Sequence, residues 1–257
     1  MKTVIAAVLV SLLSGNVLFA QFVRFAPSGT IEFEKSVNMH ALIKKTIDKD
    51  NEAWLASAFD QYKRTQAQFK KLKSVLVFSR DKTLFTPVEE TETDRSFFGD
   101  NPMVKQNSTI FTDLGQAVSI SRKQVYEETF LVKDSLRKIR WKITTETREI
   151  AGYQCRRANA IIMDSVYVVA FYTDKIPTSG GPESFSGLPG MILGVALPHE
   201  NITWFATKVT DQPIQPAVLE APRKGKQVNR KEFYDTILGA LKDWGDYAQT
   251  ALKAFML

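Results

Sequence analysis

Residues 171–197 read FYTDKIPTSGGPESFSGLPGMILGVAL, a glycine- and proline-rich loop between two apolar runs. Four of the chain's 13 glycines and three of its 10 prolines lie between residues 174 and 190, a dense cluster for one loop. Glycine permits positive φ and close approach of other groups, whereas proline fixes φ at about −65°, so together they specify one conformation. We therefore expect an ordered loop that turns at Leu188-Pro189, packs on Phe185 and leads into an apolar strand.

Strand-like runs lie on both sides of this loop. At residues 30–39 apolar and polar side chains alternate, which predicts a strand with one face in water. Residues 166–171 are apolar at nearly every position and predict a strand that is covered on both faces. Turn residues separate the runs and crossover helices are absent from the pattern, so sequential antiparallel pairing is expected. The further runs cover residues 74–79, 83–88, 109–112, 118–121, 126–132, 139–144, 147–151, 158–163, 166–173, 191–197 and 202–209.

Helical periodicity flanks the strand-rich region. Apolar residues recur at intervals of four and seven over residues 41–69, with a break indicated at Asp50-Asn51. Residues 213–230 contain prolines and a basic run and predict a linker. Residues 231–257 carry an apolar stripe at helical spacing, which predicts a C-terminal amphipathic helix.

These patterns predict an α+β fold with a mostly antiparallel, curved β-sheet, a half-barrel similar in outline to lipoprotein carriers. The N-terminal helical region and the C-terminal amphipathic helix would cover this sheet, since a single sheet must bury its apolar face. Residues 21–212 form one β-rich domain in this prediction. The C-terminal stripe has a second interpretation as a peripheral membrane contact or an insert in a partner's groove, because the preceding basic run suits anionic head groups.

The N-terminus has the features of a secretory signal over residues 1–20. Lys2 supplies a positive start, an apolar run follows over residues 3–13, and Phe19-Ala20 forms a cleavage end. An uncleaved anchor helix is the alternative, although the apolar run is too short to span a bilayer. We therefore expect an exported protein, located in the periplasm or associated with the outer membrane.

Composition excludes several classes of protein. The 257-residue chain has 34 Lys and Arg against 28 Asp and Glu, and its net charge of +6 is spread along the chain without a basic block that would indicate nucleic-acid binding. A single cysteine excludes a disulfide framework and a multi-cysteine zinc site. Cys155 lies in a strand-like stretch, where a buried core position and a reactive thiol are the two interpretations.

No catalytic motif is complete. His199-Glu200 begins like a zinc-protease helix, but Thr203 stands where the second histidine is required. Ser179 and Ser186 lack the Gly-x-Ser-x-Gly elbow of serine hydrolases. A carboxylate-based hydrolase stays open as an alternative, since sequence does not give the separation of acid pairs. We predict no catalytic residue, no metal and no cofactor.

The loop resembles the GLPGLI signature of a family of exported proteins from the Bacteroidetes. Residues 187–192, Gly-Leu-Pro-Gly-Met-Ile, are similar to the signature, and residues 171–173, 176–177 and 181–182 match the pattern that precedes it. Met191 replaces the usual leucine of the signature. The resemblance implies an exported protein and a set of signature-loop residues, namely Ile176, Pro177, Gly181, Pro182, Phe185, Gly187, Leu188, Pro189, Gly190, Met191 and Ile192.

Three functional hypotheses follow. The first is a non-catalytic envelope protein that binds an apolar ligand such as lipid, or a partner protein, in the periplasm. The second is an accessory subunit that docks on an outer-membrane receptor or secretion complex through the loop or the C-terminal helix, and the third is the hydrolase. The candidate apolar binding residues are Trp54, Phe59, Phe171, Phe185, Leu188, Trp204 and Trp244.

Overall fold

One curved β-sheet organises the protein. The computed structural model describes residues 26–89 and 98–257, and within these ranges twelve strands form a single sheet. The strands are β1 Ser28–Asn38, β2 Phe69–Ser79, β3 Lys82–Pro87, β4 Ser108–Asp113, β5 Val118–Val125, β6 Glu128–Ser135, β7 Lys142–Ile150, β8 Tyr153–Ile162, β9 Val166–Thr173, β10 Met191–Leu197, β11 Ile202–Asp211 and β12 Lys226–Val228.

The strand order is β12-β6-β5-β4-β3-β2-β1-β11-β10-β9-β8-β7, which places β1 at the centre of the sheet. Every neighbouring pair is antiparallel except β12–β6. Register shifts interrupt the β1–β11, β9–β10 and β7–β8 pairs, and bulges of this kind bend a sheet. The predicted fold class, a mostly antiparallel curved sheet with few helices, is confirmed.

Four α-helices accompany the sheet in the described ranges. They are α1 Met39–Thr46, α2 Glu52–Thr65, α3 Arg230–Ala240 and α4 Asp246–Met256. The Asn38 side chain caps α1 by accepting from the Ala41 N–H at 3.1 Å. A capping box of Asn229 and Glu232 starts α3. None of the helices described has the length and apolarity needed to cross a membrane.

The core lies on the sheet face that the helices and the loop after β9 cover. Ile31, Phe33 and Val37 alternate along β1 and are fully buried, because successive residues of a strand point to opposite faces. In β9, Val168 and Ala170 are buried on one face and Phe171 on the other, which confirms the prediction of a strand covered on both faces.

The C-terminal region differs from its sequence prediction. The expected single helix over residues 231–257 is divided into α3 and α4, and Gly245 has a φ of +57° at the break. The expected linker over residues 213–230 contains a 3-10 turn and β12, which adds to the sheet edge in parallel with β6. The reason is local: Gly225 takes a φ of +134° beside the β6 backbone, which lets the chain approach closely enough to pair.

The remaining differences concern element ends. The predicted strands at residues 139–144 and 147–151 form one strand, β7, which begins only at Lys142. The helical segment predicted over residues 41–69 is α1 and α2, separated at the Asp48–Asn51 turn near the break expected from sequence. The predicted signal peptide, residues 1–20, lies outside the described residues, as do residues 21–25 and 90–97.

A polar cavity beneath the signature loop

The loop between β9 and β10 is ordered and belongs to the core. Ile176, Phe185 and Leu188 are each at most 2% exposed. The Met191 and Ile192 N–H groups donate to the carbonyls of Ile176 and Gly180 at 2.9 and 2.8 Å, so the loop folds back on the start of β10. The expectation of a loop with one conformation agrees with this packing.

Glycine is required at two places in this loop. A Cβ at Gly190 would lie 2.1 Å from the Thr173 carbonyl oxygen, and the residue has a φ of +139°. A Cβ at Gly181 would lie 2.8 Å from both the Phe185 carbonyl oxygen and the Ile192 Cβ. These close approaches explain the glycine content through packing of the backbone.

The structure places the apolar candidates in different environments. Phe171, Phe185 and Leu188 are buried core residues, and Leu188 therefore presents no docking surface. Trp54 and Trp244 are instead exposed on the surface. Phe59 lies on α2 and packs against the core, with the Lys63 ammonium 4.7 Å from its ring centroid. Of these candidates, all of which lie in the described ranges, only Trp204 lines the cavity described next.

The covered face of the sheet turns polar on the β3–β6 side. Because β3, β4, β5 and β6 are paired in register, their inward positions share one patch beneath the loop and α4. Small hydroxyl side chains, a lysine and a carboxylate lie in this patch beside apolar residues such as Val132. Its polar members are Thr83, Thr112, Ser119, Ser121, Lys123 and Asp134.

A cavity of about 340 Å³ opens at the edge of this patch, within the size range of small-molecule sites, about 300–1,000 Å³. β1, β5 and β11 form its floor, residues 100–108 one wall, the signature loop another, and α4 its cover. The lining residues are Lys35, Asp100, Pro102, Met103, Lys105, Gln106, Asn107, Ser108, Lys123, Gln124, Tyr126, Glu183, Ile202, Trp204, Ala254, Phe255 and Leu257.

Lys35 is the most buried charged residue of the cavity, at 3% exposure. It follows Ile31 and Phe33 on the inward face of β1, so the alternation of the strand places its charge among core residues. Its Nζ donates to the Met103 and Lys105 carbonyl oxygens at 3.0 and 2.9 Å and lies 5.2 Å from the Trp204 ring centroid. These contacts replace the water that the ammonium loses on burial.

Glu183 faces Lys35 and Lys123 from the signature loop. Burial raises the pKa of its carboxyl group, while the two ammonium charges act in the opposite direction. Glu183 has a φ of +50°, a strained value for a non-glycine residue that marks a constrained position. Burial lowers the pKa of Lys123 to about 8, and its Nζ donates to the Phe255 carbonyl oxygen at 2.8 Å.

Two buried polar groups on the cavity wall lack hydrogen bonds. The Gln106 side chain, 8% exposed, lies beside the Glu183 carboxyl group and lowers its pKa, but the geometry between them is too poor for a hydrogen bond, so neither amide atom has a well-formed partner within the described chain. The Trp204 Nε1–H, in a residue 2% exposed, likewise has no acceptor there. Two other buried groups, His40 Nε2 and Ser74 Oγ, also lack partners in the described chain but do not line this cavity; Gln106 and Trp204 differ in that a ligand or water in the cavity can reach them.

The end of α4 is fixed over the cavity by three polar side chains. Lys123 donates to the Phe255 carbonyl, Arg137 to the Met256 carbonyl, and the Ser184 hydroxyl to the Leu257 carbonyl at 2.7 Å. The C-terminal carbonyls of a helix lack internal partners and carry partial negative charge, so cationic donors stabilise them. The signature loop is thereby connected to the C-terminal helix through Ser184.

Sequence reasoning did not identify Lys35, Gln106, Lys123 or Glu183. A signal existed for Lys35, which interrupts the apolar positions of a strand that otherwise alternates strictly. The other three lie on separate elements, and only the fold brings them together.

Cys155 is a core residue, and the described acidic groups form no metal-holding cluster. The thiol is fully buried, and burial raises its pKa to about 12, which favours the core interpretation of this cysteine. Among the described residues, no three His, Cys, Asp or Glu side chains lie close enough to hold a metal ion.

A family described as "Protein of unknown function (Porph_ging)" matches residues 161–194, from the end of β8 through the signature loop into β10. This short match is consistent with a protein of Bacteroidetes type. No curated protein matches the chain.

Two solved structures of PNGF-II, in the C2 and P21 space groups, are similar in fold. Their TM-scores are 0.52 and 0.51, both at 15% sequence identity, and they cover 81% and 82% of this chain. The alignments cover 32% and 33% of the PNGF-II chains, so this chain spans about a third of their length. At this identity the similarity shows the β-rich fold alone.

Proposed function

We propose that this chain is a non-catalytic binding protein of the cell envelope, exported to the periplasm or outer membrane, whose ligand occupies the cavity beneath α4. The observation that carries the proposal is the pair of unpartnered buried groups, the Gln106 amide and the Trp204 N–H, on the wall of a cavity of about 340 Å³. Each group costs about 1–3 kcal/mol when it is buried without a partner. A ligand that hydrogen-bonds to both removes this cost.

The lining favours a small ligand with hydrogen-bonding groups over a purely apolar chain. Gln106, Lys123 and Glu183 present polar atoms to the cavity, while Trp204 and Phe255 supply apolar surface. A lipid tail would leave the Gln106 amide and the Trp204 N–H without hydrogen bonds. The apolar ligand expected from sequence is therefore revised to a small amphiphilic molecule.

The arrangement of the carboxyl groups supports a non-catalytic role. Asp100 and Glu183 both line the cavity, but the Asp100 side chain is 93% exposed and pairs with Lys105 at 2.7 Å. A glycosidase-type pair places an acid and a base on either side of one bond inside the site. In this proposal the Glu183 carboxyl group orients the Lys35 and Lys123 ammonium groups and compensates their positive charge.

Assignment to the exported GLPGLI family of the Bacteroidetes is part of the same proposal. It is supported by residues 187–192 and by the packing that explains their glycines. Fractionation of the native bacterium tests the compartment: recovery in the periplasm or outer membrane supports export, and recovery with the cytoplasmic fraction contradicts it.

The binding experiment compares two variants of the full chain. Protein purified from native envelope without denaturant is examined by native mass spectrometry for a retained small molecule, and we expect one ligand per chain. The Gln106→Met variant should not retain that ligand. Its free energy of unfolding should be about 1 kcal/mol higher than that of the wild type, because an unpaired buried amide is replaced by an apolar side chain of similar volume. Gln154→Met, at an exposed position of β8, is the matched control.

Two results would contradict the proposal: a bare wild-type protein, or equal retention by the Gln106→Met and Gln154→Met variants.

A docking role is a second candidate, supported by exposed apolar residues of α3. Tyr234 and Leu238 are each 39% exposed, whereas the loop residue Leu188 is buried. Native cross-linking should then recover an outer-membrane protein with the wild type and lose it on Leu238→Asp. Unchanged recovery with that variant excludes α3 as the contact.

A further inference from the structure

An exposed group of aromatic rings lies at the junction of α3 and α4. Tyr126, Trp244 and Tyr247 are 48%, 46% and 37% exposed, and we name these three residues the aromatic shelf. The Tyr126 and Trp244 ring centroids are 5.5 Å apart, and Trp244 stacks on Tyr247 at 5.9 Å with 23° between the ring planes. Contiguous exposed apolar surface of this kind marks an interaction site.

The aromatic shelf is continuous with the polar cavity. Tyr126 lines the cavity and contacts Phe255, another lining residue, at 5.6 Å between centroids. The Tyr126 and Tyr247 hydroxyl groups interact, and burial is the main cause that raises the pKa of Tyr247 to about 12, with Tyr126 and Asp100 contributing. Both phenols therefore stay neutral: the Tyr247 hydroxyl donates to the Tyr126 oxygen, and the Tyr126 hydroxyl is left as a donor at the cavity rim.

The conformation of Tyr126 is unusual for its residue type. It has a φ of +52° in the turn between β5 and β6, where glycine or asparagine relieves the steric cost. Other hairpin turns of the sheet have a similar φ at Ala117, Ala151 and Met163, so this turn geometry recurs in the chain. At the β5–β6 turn, the residue in this conformation supplies the ring that joins the shelf to the cavity.

We propose that the shelf and the cavity together form a saccharide-binding site, a proposal that rests on the ligand-binding function proposed above. A sugar ring presents C–H groups on its faces, which pack on aromatic rings, and hydroxyl groups at its edge that both donate and accept hydrogen bonds. The rings of Trp244 and Tyr126 suit the faces of the sugar. The Gln106 amide, the Trp204 N–H and the Glu183 carboxyl group offer both donors and acceptors to its hydroxyl groups.

Other ligand classes fit these groups less well. A simple anion would meet the lysine and indole donors but would also face the Glu183 and Asp100 carboxyl groups. A fatty chain would cover the shelf but leave the buried amide without a partner. A ligand with hydroxyl groups satisfies the mixed lining and the exposed rings at once.

The experiment measures saccharide affinity of the full chain by calorimetry. The probes are four soluble disaccharides, chitobiose, cellobiose, lactose and α-1,6-mannobiose. We expect at least one to bind the wild type, with about a tenfold loss of affinity in Trp244→Ala. Trp54→Ala is the matched control, because Trp54 is a tryptophan of similar exposure, 55% against 46% for Trp244, that lies on α2 and does not line the cavity.

Tyr126→Gly separates binding from folding. Glycine adopts positive φ without strain, which offsets the loss of the ring contacts with Trp244 and Phe255, so this variant should keep a free energy of unfolding close to that of the wild type while it loses affinity for the disaccharide. A loss of affinity without a loss of stability supports the saccharide site.

Two outcomes overturn the proposal. If none of the four disaccharides binds but an amphiphilic ligand is retained and is lost on Gln106→Met, the saccharide is excluded and the cavity function stands. If a disaccharide binds the Trp244→Ala and Tyr126→Gly variants as tightly as the wild type, the shelf takes no part in recognition.

Discussion

Substitution of Gly190 by alanine tests whether the signature loop is held by backbone contact. Its φ of +139° is a region that residues with a Cβ rarely adopt, and this costs about 1–3 kcal/mol. The added Cβ would lie 2.1 Å from the Thr173 carbonyl oxygen, so β9 or the loop must also shift, which costs a further 1–3 kcal/mol or so. The expected loss is about 2–6 kcal/mol, a large part of the stability of about 5–15 kcal/mol that is typical of proteins.

Alanine substitutions at two further glycines separate the cost of positive φ from the cost of a steric clash. Gly152 has a φ of +82° and no atom of the described chain within 4 Å of an added Cβ, so Gly152→Ala carries the conformational cost alone. Gly239, on α3, also has open space, and Gly239→Ala should stabilise the helix by about 0.5–1 kcal/mol.

Urea denaturation of the three variants gives the free energies of unfolding. The expected order of stability is Gly239→Ala above wild type, then Gly152→Ala, then Gly190→Ala. If Gly190→Ala were no less stable than Gly152→Ala, the close packing of the loop on β9 would be refuted.

Three other predictions follow from the same structure. Cys155 should resist iodoacetamide at about pH 8 in the folded protein and react once it is unfolded, because its pKa is about 12 and its side chain is buried; rapid native labelling would contradict this. The pKa of Lys123 is about 8 in the fold against 10.5 when unperturbed, so the unfolded chain binds the extra proton between these values and stability rises with pH there. Lys123→Met should flatten that rise in denaturation curves at about pH 7.5, 9 and 10, and an unchanged slope would exclude this group. Asn229→Ala should lower the free energy of unfolding by about 1 kcal/mol, because the variant loses the capping box of α3. An unchanged free energy of unfolding would show that this cap does not stabilise the fold.

Local patterns in the sequence determined most of the strands and the ordered loop. Alternation along residues 30–39 gave β1, and the apolar run at residues 166–171 gave a strand covered on both faces, because side-chain period and turn chemistry act between near neighbours. The division of the C-terminal helix was missed because its apolar stripe continues across the break at Gly245.

The candidate site was decided by tertiary structure. Lys35 lies opposite Trp204 through the pairing of β1 with β11, and Gln106 and Glu183 come to the same cavity from separate loops. These side chains come together through strand register and through contacts between residues far apart in the chain, and local periodicity in the sequence does not predict either of these. The sequence by itself determined which segments are strands and which loop is rigid; the assembled sheet decided which polar side chains are buried together, because burial is a property of the packed chain.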